Sequence, residues 1–198
     1  MNVAPERLGE FGVFVVPACL DDATCARVRA AMDRGRATPA EIYVNGYVVD
    51  EGVRRTFDVE VDPAIVVEVE RAIGGVRGDV SRFFGTELTA AEGPGFLRYR
   101  SGGFYLAHCD RLDDSAEEDH PRQISVVVFL TTATAGAGDG CCEGGALRLY
   151  GVADPSRETT PLDVPPAAGT LIAFRSGVLH EVLPVTGGVR DAIVDWFY

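Results

Sequence analysis

The sequence predicts a mainly β fold of the α+β kind, a double-sheet jelly roll with two N-terminal helices packed on one outer face. Three observations point there. Helical periodicity is confined to residues 1–95. From residue 96 onward the pattern becomes short strand-like runs parted by Gly and Pro. No internal repeat and no linker between independent units interrupts the 198 residues, enough chain to bury a core without staples. One domain over 1–198 is therefore expected, with 1–95 as helical support and flap and 96–198 as the jelly-roll core.

Taken in order, residues 11–16 form an apolar run ending at Pro17, expected as a buried strand. Asp21 or Asp22 then offers an N-cap, and Leu20, Cys25, Val28 and Met32 recur at helical spacing up to Gly35. Within 37–57, Asn45-Gly46 marks a turn between Tyr43-Val44 and Tyr47-Val48-Val49, the pattern of a hairpin flap. Asp62-Pro63 opens a second helix, an N-cap followed by proline at the first helical position. Val66, Val69, Ile73, Val76, Val80, Phe83 and Phe84 supply its apolar stripe up to Gly85, while Gly74-Gly75 predicts a kink or break.

Strand-like runs follow at 96–100, 104–110, 123–131, 146–150, 161–164, 170–174, 179–184 and 189–197. Thr186-Gly187-Gly188 reads as a hairpin turn between the last two. The Gly-, Ala- and Thr-rich run 132–144 is expected to be a flexible surface connection. Its Gly136-Ala137-Gly138 lacks the βα setting that nucleotide binding requires. The stretch 111–120, with Asp113, Asp114, Glu117, Glu118 and Asp119, reads as a solvated loop.

Composition narrows the function. The chain is 46% hydrophobic and 24% charged, ordinary for a soluble globular protein. A net charge of −12 argues against a nucleic-acid partner, since phosphate binding needs clustered cations. No apolar run approaches the roughly 18 residues of a membrane span, and the N-terminus lacks the basic-then-apolar order of a signal peptide. A cytoplasmic protein with no membrane partner is expected. The five cysteines are Cys19, Cys25, Cys109, Cys141 and Cys142; an odd number with two adjacent suits reduced thiols better than a disulfide framework. Cys141-Cys142 lacks the C-x-x-C spacing of a structural zinc site.

Within Gly102-Gly103-Phe104-Tyr105-Leu106-Ala107-His108-Cys109-Asp110, His108 and Asp110 are two apart. On a strand they share one face, while Cys109 between them points away into packing. His180 opens another strand-like run, and Arg190 lies in the last one, where alternation places Arg190, Ala192, Val194 and Trp196 together. A jelly roll turns one face of each strand inward, so Arg190 is expected in the same cavity as the two histidines. A buried Arg without a partner is costly and should pair with an anion. Two His and one carboxylate leave a metal with open positions, which suits non-haem Fe(II). The remaining histidine, His120, sits in the acidic loop and reads as structural or surface.

These motifs carry a resemblance. Leu97-Arg98-Tyr99, His108-Cys109-Asp110, Gly144-Gly145-Ala146-Leu147-Arg148-Leu149-Tyr150, Gly169-Thr170-Leu171-Ile172-Ala173-Phe174, His180-Glu181-Val182 and Arg190 through Trp196 follow one another in order. Together, residues 96–198 resemble the prolyl 4-hydroxylase-like branch of the Fe(II)/2-oxoglutarate-dependent dioxygenases, which includes the oxygen-sensing prolyl hydroxylases of animals. The resemblance implies a double-stranded β-helix with His108, Asp110 and His180 as iron ligands. It implies Arg190 as the partner of the distal carboxylate of 2-oxoglutarate, a task that suits a bidentate guanidinium. Tyr99 matches a tyrosine that hydrogen-bonds the cosubstrate, or is a core residue. Trp196 matches an aromatic near the metal, though core packing explains it first. Phe129 stands where the oxygen-sensing enzymes have a tyrosine on the distal carboxylate, and Ser125 or Thr170 is the expected substitute. The spacing from His180 to Arg190 fits collagen-type enzymes better, although those carry Lys at this position.

The implied reaction is hydroxylation of an unactivated C–H bond with Fe(II), 2-oxoglutarate and O2, and with ascorbate as a candidate reductant. The family points to a prolyl residue in a peptide or protein; a free amino acid or small metabolite is the alternative. Residues 43–57 fall where relatives carry a flap, and Arg54, Arg55 and Arg148 are candidates for a substrate carboxylate or backbone, or else are surface charges paired with Asp and Glu. Two other classes stay open: a zinc hydrolase using the same triad, and a cupin-like binding module without catalysis.

Overall fold

The computed structural model describes residues 5–44, 46–111, 122–136, 138–152 and 161–198. Asn45, Ala137 and the acidic loop beyond Arg111, with Asp113, Asp114, Glu117, Glu118, Asp119 and His120, lie outside the described residues.

A 3-10 helix over Pro5–Phe11 leads into β1 (Phe14–Val16), so the first strand starts later than the apolar run does. Helix α1 (Asp22–Arg34) is capped by Asp21, whose carboxylate accepts from the Thr24 amide at 2.7 Å. After it come β2 (Ala37–Pro39), the hairpin β3 (Ile42–Tyr43) and β4 (Tyr47–Val48), then β5 (Arg54–Arg55) and β6 (Phe57–Val59). Helix α2 (Pro63–Phe84) begins on the Asp62 cap with Pro63 in its first turn and ends at Gly85, whose φ of 60° is left-handed. It runs unbroken through Gly74-Gly75, contrary to the expected kink. Each glycine costs a helix about 1 kcal/mol. Buried Val69, Ile73, Val80 and Phe84 each contribute roughly 1.5–3 kcal/mol on either side, so packing wins.

The β-rich part follows as β7 (Gly95–Arg100), β8 (Phe104–His108), β9 (Ile124–Phe129), β10 (Thr132–Ala133), β11 (Cys141–Gly144), β12 (Leu147–Leu149), β13 (Leu162–Val164), β14 (Leu171–Arg175), β15 (His180–Val182) and β16 (Val185–Phe197). All eight expected runs contain a strand. The major sheet runs β1-β14-β9-β16-β7-β6-β2, and the minor sheet β13-β12-β15-β8-β5. The chain is mainly β with two helices, and its facing antiparallel sheets form the expected jelly roll.

Two expectations fail together. Thr186-Gly187-Gly188 is not a hairpin turn, because 185–197 is one continuous strand. Nor is 132–144 only a connection, because β11 pairs with β16 through Cys142↔Gly188 and Glu143↔Gly187. The glycines serve close approach rather than reversal: Gly188 has φ of 70°, and a Cβ there would lie 2.6 Å from the Cys141 carbonyl.

The major sheet is buried on both faces, so its strands read as continuous apolar runs. Ile124, Val126, Val128, Leu171, Ala173, Ile193 and Phe197 turn outward onto Cys25, Val28 and Met32 of α1 and Val69, Ile73, Val80 and Phe84 of α2. Val127, Phe129, Ile172, Phe174, Leu97, Tyr99 and Ala192 turn inward and meet Leu147, Leu149, Leu162, Val164 and Val182 of the minor sheet. Both helices thus cover one outer face, leaving the space between the sheets for chemistry. Among the described residues no helix is long and apolar enough to cross a membrane.

Candidate active site

His108 and His180 are register partners on adjacent antiparallel strands, β8 and β15 of the minor sheet. Their rings lie 4.2 Å apart. His108 Nδ1 is 2.8 Å from the Leu106 carbonyl, and His180 Nδ1 is 2.8 Å from the Val178 carbonyl. A carbonyl only accepts, so each Nδ1 carries the proton and each Nε2 presents its lone pair. Asp110 sits two residues past the end of β8, its amide held by the Ser176 carbonyl at 3.0 Å. Its carboxylate oxygens lie 3.6 Å from His108 Nε2 and 3.5 Å from His180 Nε2.

One donor atom from each of the three residues fits within 4.8 Å of the others. Two imidazole lone pairs and a carboxylate that face one another have no proton to share and are completed by a cation. Burial pushes the His180 pKa below its usual value, which favours the neutral ligand form. For Asp110, burial alone would raise the pKa, but its contacts with both imidazoles and with Ser125 outweigh burial and hold it below the usual carboxylate range. Two histidines and one carboxylate are a donor set that fits Fe(II).

Arg190 enters from the opposite sheet. It is 2% exposed, and its Nε donates to the Gly145 carbonyl at 2.8 Å. The guanidinium carbon lies 4.9 Å from the Tyr99 ring centroid and 5.5 Å from that of Phe129. Among the described residues no carboxylate comes within 4 Å of it; neighbouring Asp191 faces the other way and holds Arg98 at 2.8 and 2.7 Å. Burial lowers the Arg190 pKa, so it stays charged at a cost that an anion would remove. Ala192 and Val194 occupy the same face of β16 between Arg190 and the end of the strand near Ser125.

The remaining expected residues separate. Tyr99 is fully buried and is the register partner of Arg190. Thr170 is half-buried, and its backbone is bonded to Phe129 and Ala167. Ser125, expected at the far carboxylate, instead donates to Asp110 Oδ2 at 2.6 Å, because its place on β9 is at the metal end. Trp196 lies beneath Arg122, 3.6 Å from ring centroid to guanidinium carbon. Arg148 is taken up by Asp163 at 2.6 and 2.9 Å.

Four further contributors to the site carry no mark in the sequence pattern. Ser176, fully buried, lies 3.0 Å from Ser125 Oγ. Gly145 receives Arg190. Phe174 meets His180 edge-on at 4.9 Å. Tyr105 stacks on His108 at 3.6 Å. Strict alternation puts residues 105 and 108 on opposite faces, but a register shift pairs Tyr105 with Val182 and His108 with His180. Such a bulge leaves no mark in the hydrophobic pattern.

Residues 94–198, more than half of the chain, match the family described as the 2OG-Fe(II) oxygenase superfamily. The chain belongs to that superfamily. A PKHD-type hydroxylase of Maricaulis maris is 31% identical over 99 residues, 50% of this chain. The matched segment spans 38% of that relative's length. Among solved structures, a Pseudomonas putida prolyl-4-hydroxylase is 27% identical with a TM-score of 0.72, over 97% of this chain and 95% of that one. A prolyl hydroxylase of Trichoplax adhaerens, in complex with a hypoxia inducible factor oxygen degradation domain peptide fragment, superposes with a TM-score of 0.71 at 20% identity, over 98% and 86% of the chains. The oxygenase fold of the prolyl 4-hydroxylase-like branch is thus the fold of this chain, and Fe(II) and 2-oxoglutarate are the cofactors that its family and donor set fit.

Proposed function

We propose that the protein is a 2-oxoglutarate-dependent hydroxylase acting on a prolyl residue of a peptide or protein. His108, Asp110 and His180 would hold the iron, and Arg190 would bind the distal carboxylate of 2-oxoglutarate. The observation that carries this reading is the pair of buried sites between the sheets: three converging acceptors at one end and, at the other, a guanidinium with no carboxylate within 4 Å among the described residues.

Bound Fe(II) and 2-oxoglutarate supply oxygen activation, with 2-oxoglutarate and O2 converted to succinate and CO2 as one oxygen atom enters a substrate C–H bond. The chain's own residues bind and orient. Leu106 and Val178 carbonyls fix both imidazole tautomers. Ser125 fixes the Asp110 rotamer. Gly145 occupies Arg190 Nε, which leaves the two terminal nitrogens for a carboxylate in a two-point contact. Tyr99 and Phe129 line the guanidinium.

A single domain in the cytoplasm fits five cysteines that form no disulfide among the described residues, and the net charge of −12 gives no footing for nucleic acid. Purified protein mixed without oxygen with Fe(II) and 2-oxoglutarate should develop a weak visible charge-transfer band. Absence of the band, with Arg190→Ala binding 2-oxoglutarate as tightly as the parent, would sink this reading.

A further inference from the structure

Arg54 Nε is a buried side-chain nitrogen with no hydrogen-bond partner, the single such atom among the described residues. A donor left unmade in the interior calls for an explanation. Arg54 Nη1 donates to the Glu41 carbonyl at 2.8 Å, and the guanidinium carbon lies 4.9 Å above the Tyr105 ring. That ring is the one stacked on His108. Arg54 is therefore one aromatic ring removed from an expected iron ligand. Asp58 feels its charge but stays beyond ion-pair distance.

Strand alternation separates Arg54 from its neighbour. Arg54 pairs with Tyr105 and shares the triad's face of the minor sheet, whereas Arg55 pairs with Phe104 and lies over that ring, on the other face. The hairpin β3–β4 precedes β5 by a few residues. It presents Tyr43 and Tyr47, 69% and 74% exposed, in edge-on contact, with Val44, Val48 and Val49 also exposed. Leu106 and Leu179, beside the two histidines, are exposed as well. An exposed apolar hairpin whose flank is tied to Arg54 through the Glu41 carbonyl marks an interaction surface.

Resting on the proposed hydroxylase activity, we infer that the substrate is an acidic polypeptide segment. It would lie between the Tyr43–Tyr47 hairpin and the triad, with an Asp or Glu near the target residue received by Arg54. A carboxylate satisfies the orphaned Nε and balances a cation that has no ion pair among the described residues, in a two-point geometry that Lys could not give. The apolar hairpin takes the flanking side chains.

The test uses the full chain with Fe(II), 2-oxoglutarate and proline-centred peptides flanked by Asp/Glu, by Ser, or by Lys, reading succinate formation. Acidic peptides should show a KM at least 10-fold below the neutral set. Arg54→Ala should erase that preference with kcat changed less than about 3-fold, and Arg54→Glu should shift it toward the Lys peptides. Arg55→Ala should keep it, and Tyr43→Ser with Tyr47→Ser should raise KM for all peptides alike. Equal KM across the three sets, or a preference that survives Arg54→Ala, overturns the inference. So does turnover stimulated only by free amino acids or small carboxylic acids, while the charge-transfer band shows the oxygenase reading intact. Loss of the band as well would remove that reading too.

Discussion

Ser125 ties the Asp110 carboxylate into the interior: its Oγ lies 2.6 Å from Asp110 Oδ2 and 3.0 Å from Ser176 Oγ. A hydroxyl has one proton, so Ser125 donates to Asp110 and accepts from Ser176. One carboxylate oxygen is thereby committed, which disfavours two-oxygen grip on a metal and keeps coordination positions open. Ser125→Ala should weaken Mn(II) binding to the protein by roughly 10-fold, the scale expected for a group that orients a metal ligand. Titration calorimetry checks this, and an unchanged Kd would show Asp110 to be held by its backbone alone.

Arg190 should give opposite signs in two measurements. Arg190→Met removes the proposed counter-charge for the cosubstrate, and 2-oxoglutarate affinity should fall about 100-fold or more, as for loss of a charge-assisted two-point contact. The same change removes a buried cation that has no ion pair among the described residues, so the ligand-free variant should be more stable than the parent, by about 1–4 kcal/mol. Thermal unfolding with and without 2-oxoglutarate separates the two effects.

Gly145 has φ of 67°, and a Cβ built on it would lie 2.8 Å from Arg190 Cδ. Gly145→Ala should therefore displace the guanidinium. Weakening of 2-oxoglutarate binding by roughly 10-fold is expected, with Mn(II) affinity unchanged and a stability loss of about 1 kcal/mol or more from the left-handed backbone. Equal loss of both affinities would point to general unfolding instead.

Asp195 is buried on the helix-facing side, accepting from the amides of Gly93 at 2.9 Å and Trp196 at 2.7 Å. Burial raises its pKa despite those bonds. A carboxyl whose folded pKa lies above its unfolded value of about 3.8 favours folding below that value and loses the advantage as pH rises through the folded pKa. Asp195→Asn keeps an acceptor and removes the charge. Its Tm should exceed the parent's at pH 7, and the difference should shrink as pH falls toward 4. A constant difference would assign the effect to packing.

Much of the fold was legible because burial patterns are strong. Ile124 to Phe129 reads as an unbroken apolar run because both faces of β9 are covered, and α2 announces itself through Asp62-Pro63 and a stripe ending at Gly85. The triad was legible as residue types at a spacing. Its supports were not. The bulge that brings Tyr105 over His108, the Ser176 hydroxyl beneath Ser125, and the extension of the last strand back through the expected turn to 185 depend on pairing across distant segments. Thr186-Gly187-Gly188 shows the limit most clearly, since a turn and a close strand approach ask for the same residue.

The two histidines are oriented by one device used twice, an imidazole N–H returned to the main-chain carbonyl two residues earlier. Main chain cannot be substituted. Side chains at positions 106 and 178 can therefore change without turning either ring, and the rim of the site is free to vary in shape and polarity while both imidazoles keep their aim. Divergence in what the oxygenase acts on and constancy in how it holds its metal are, in this architecture, two independent properties.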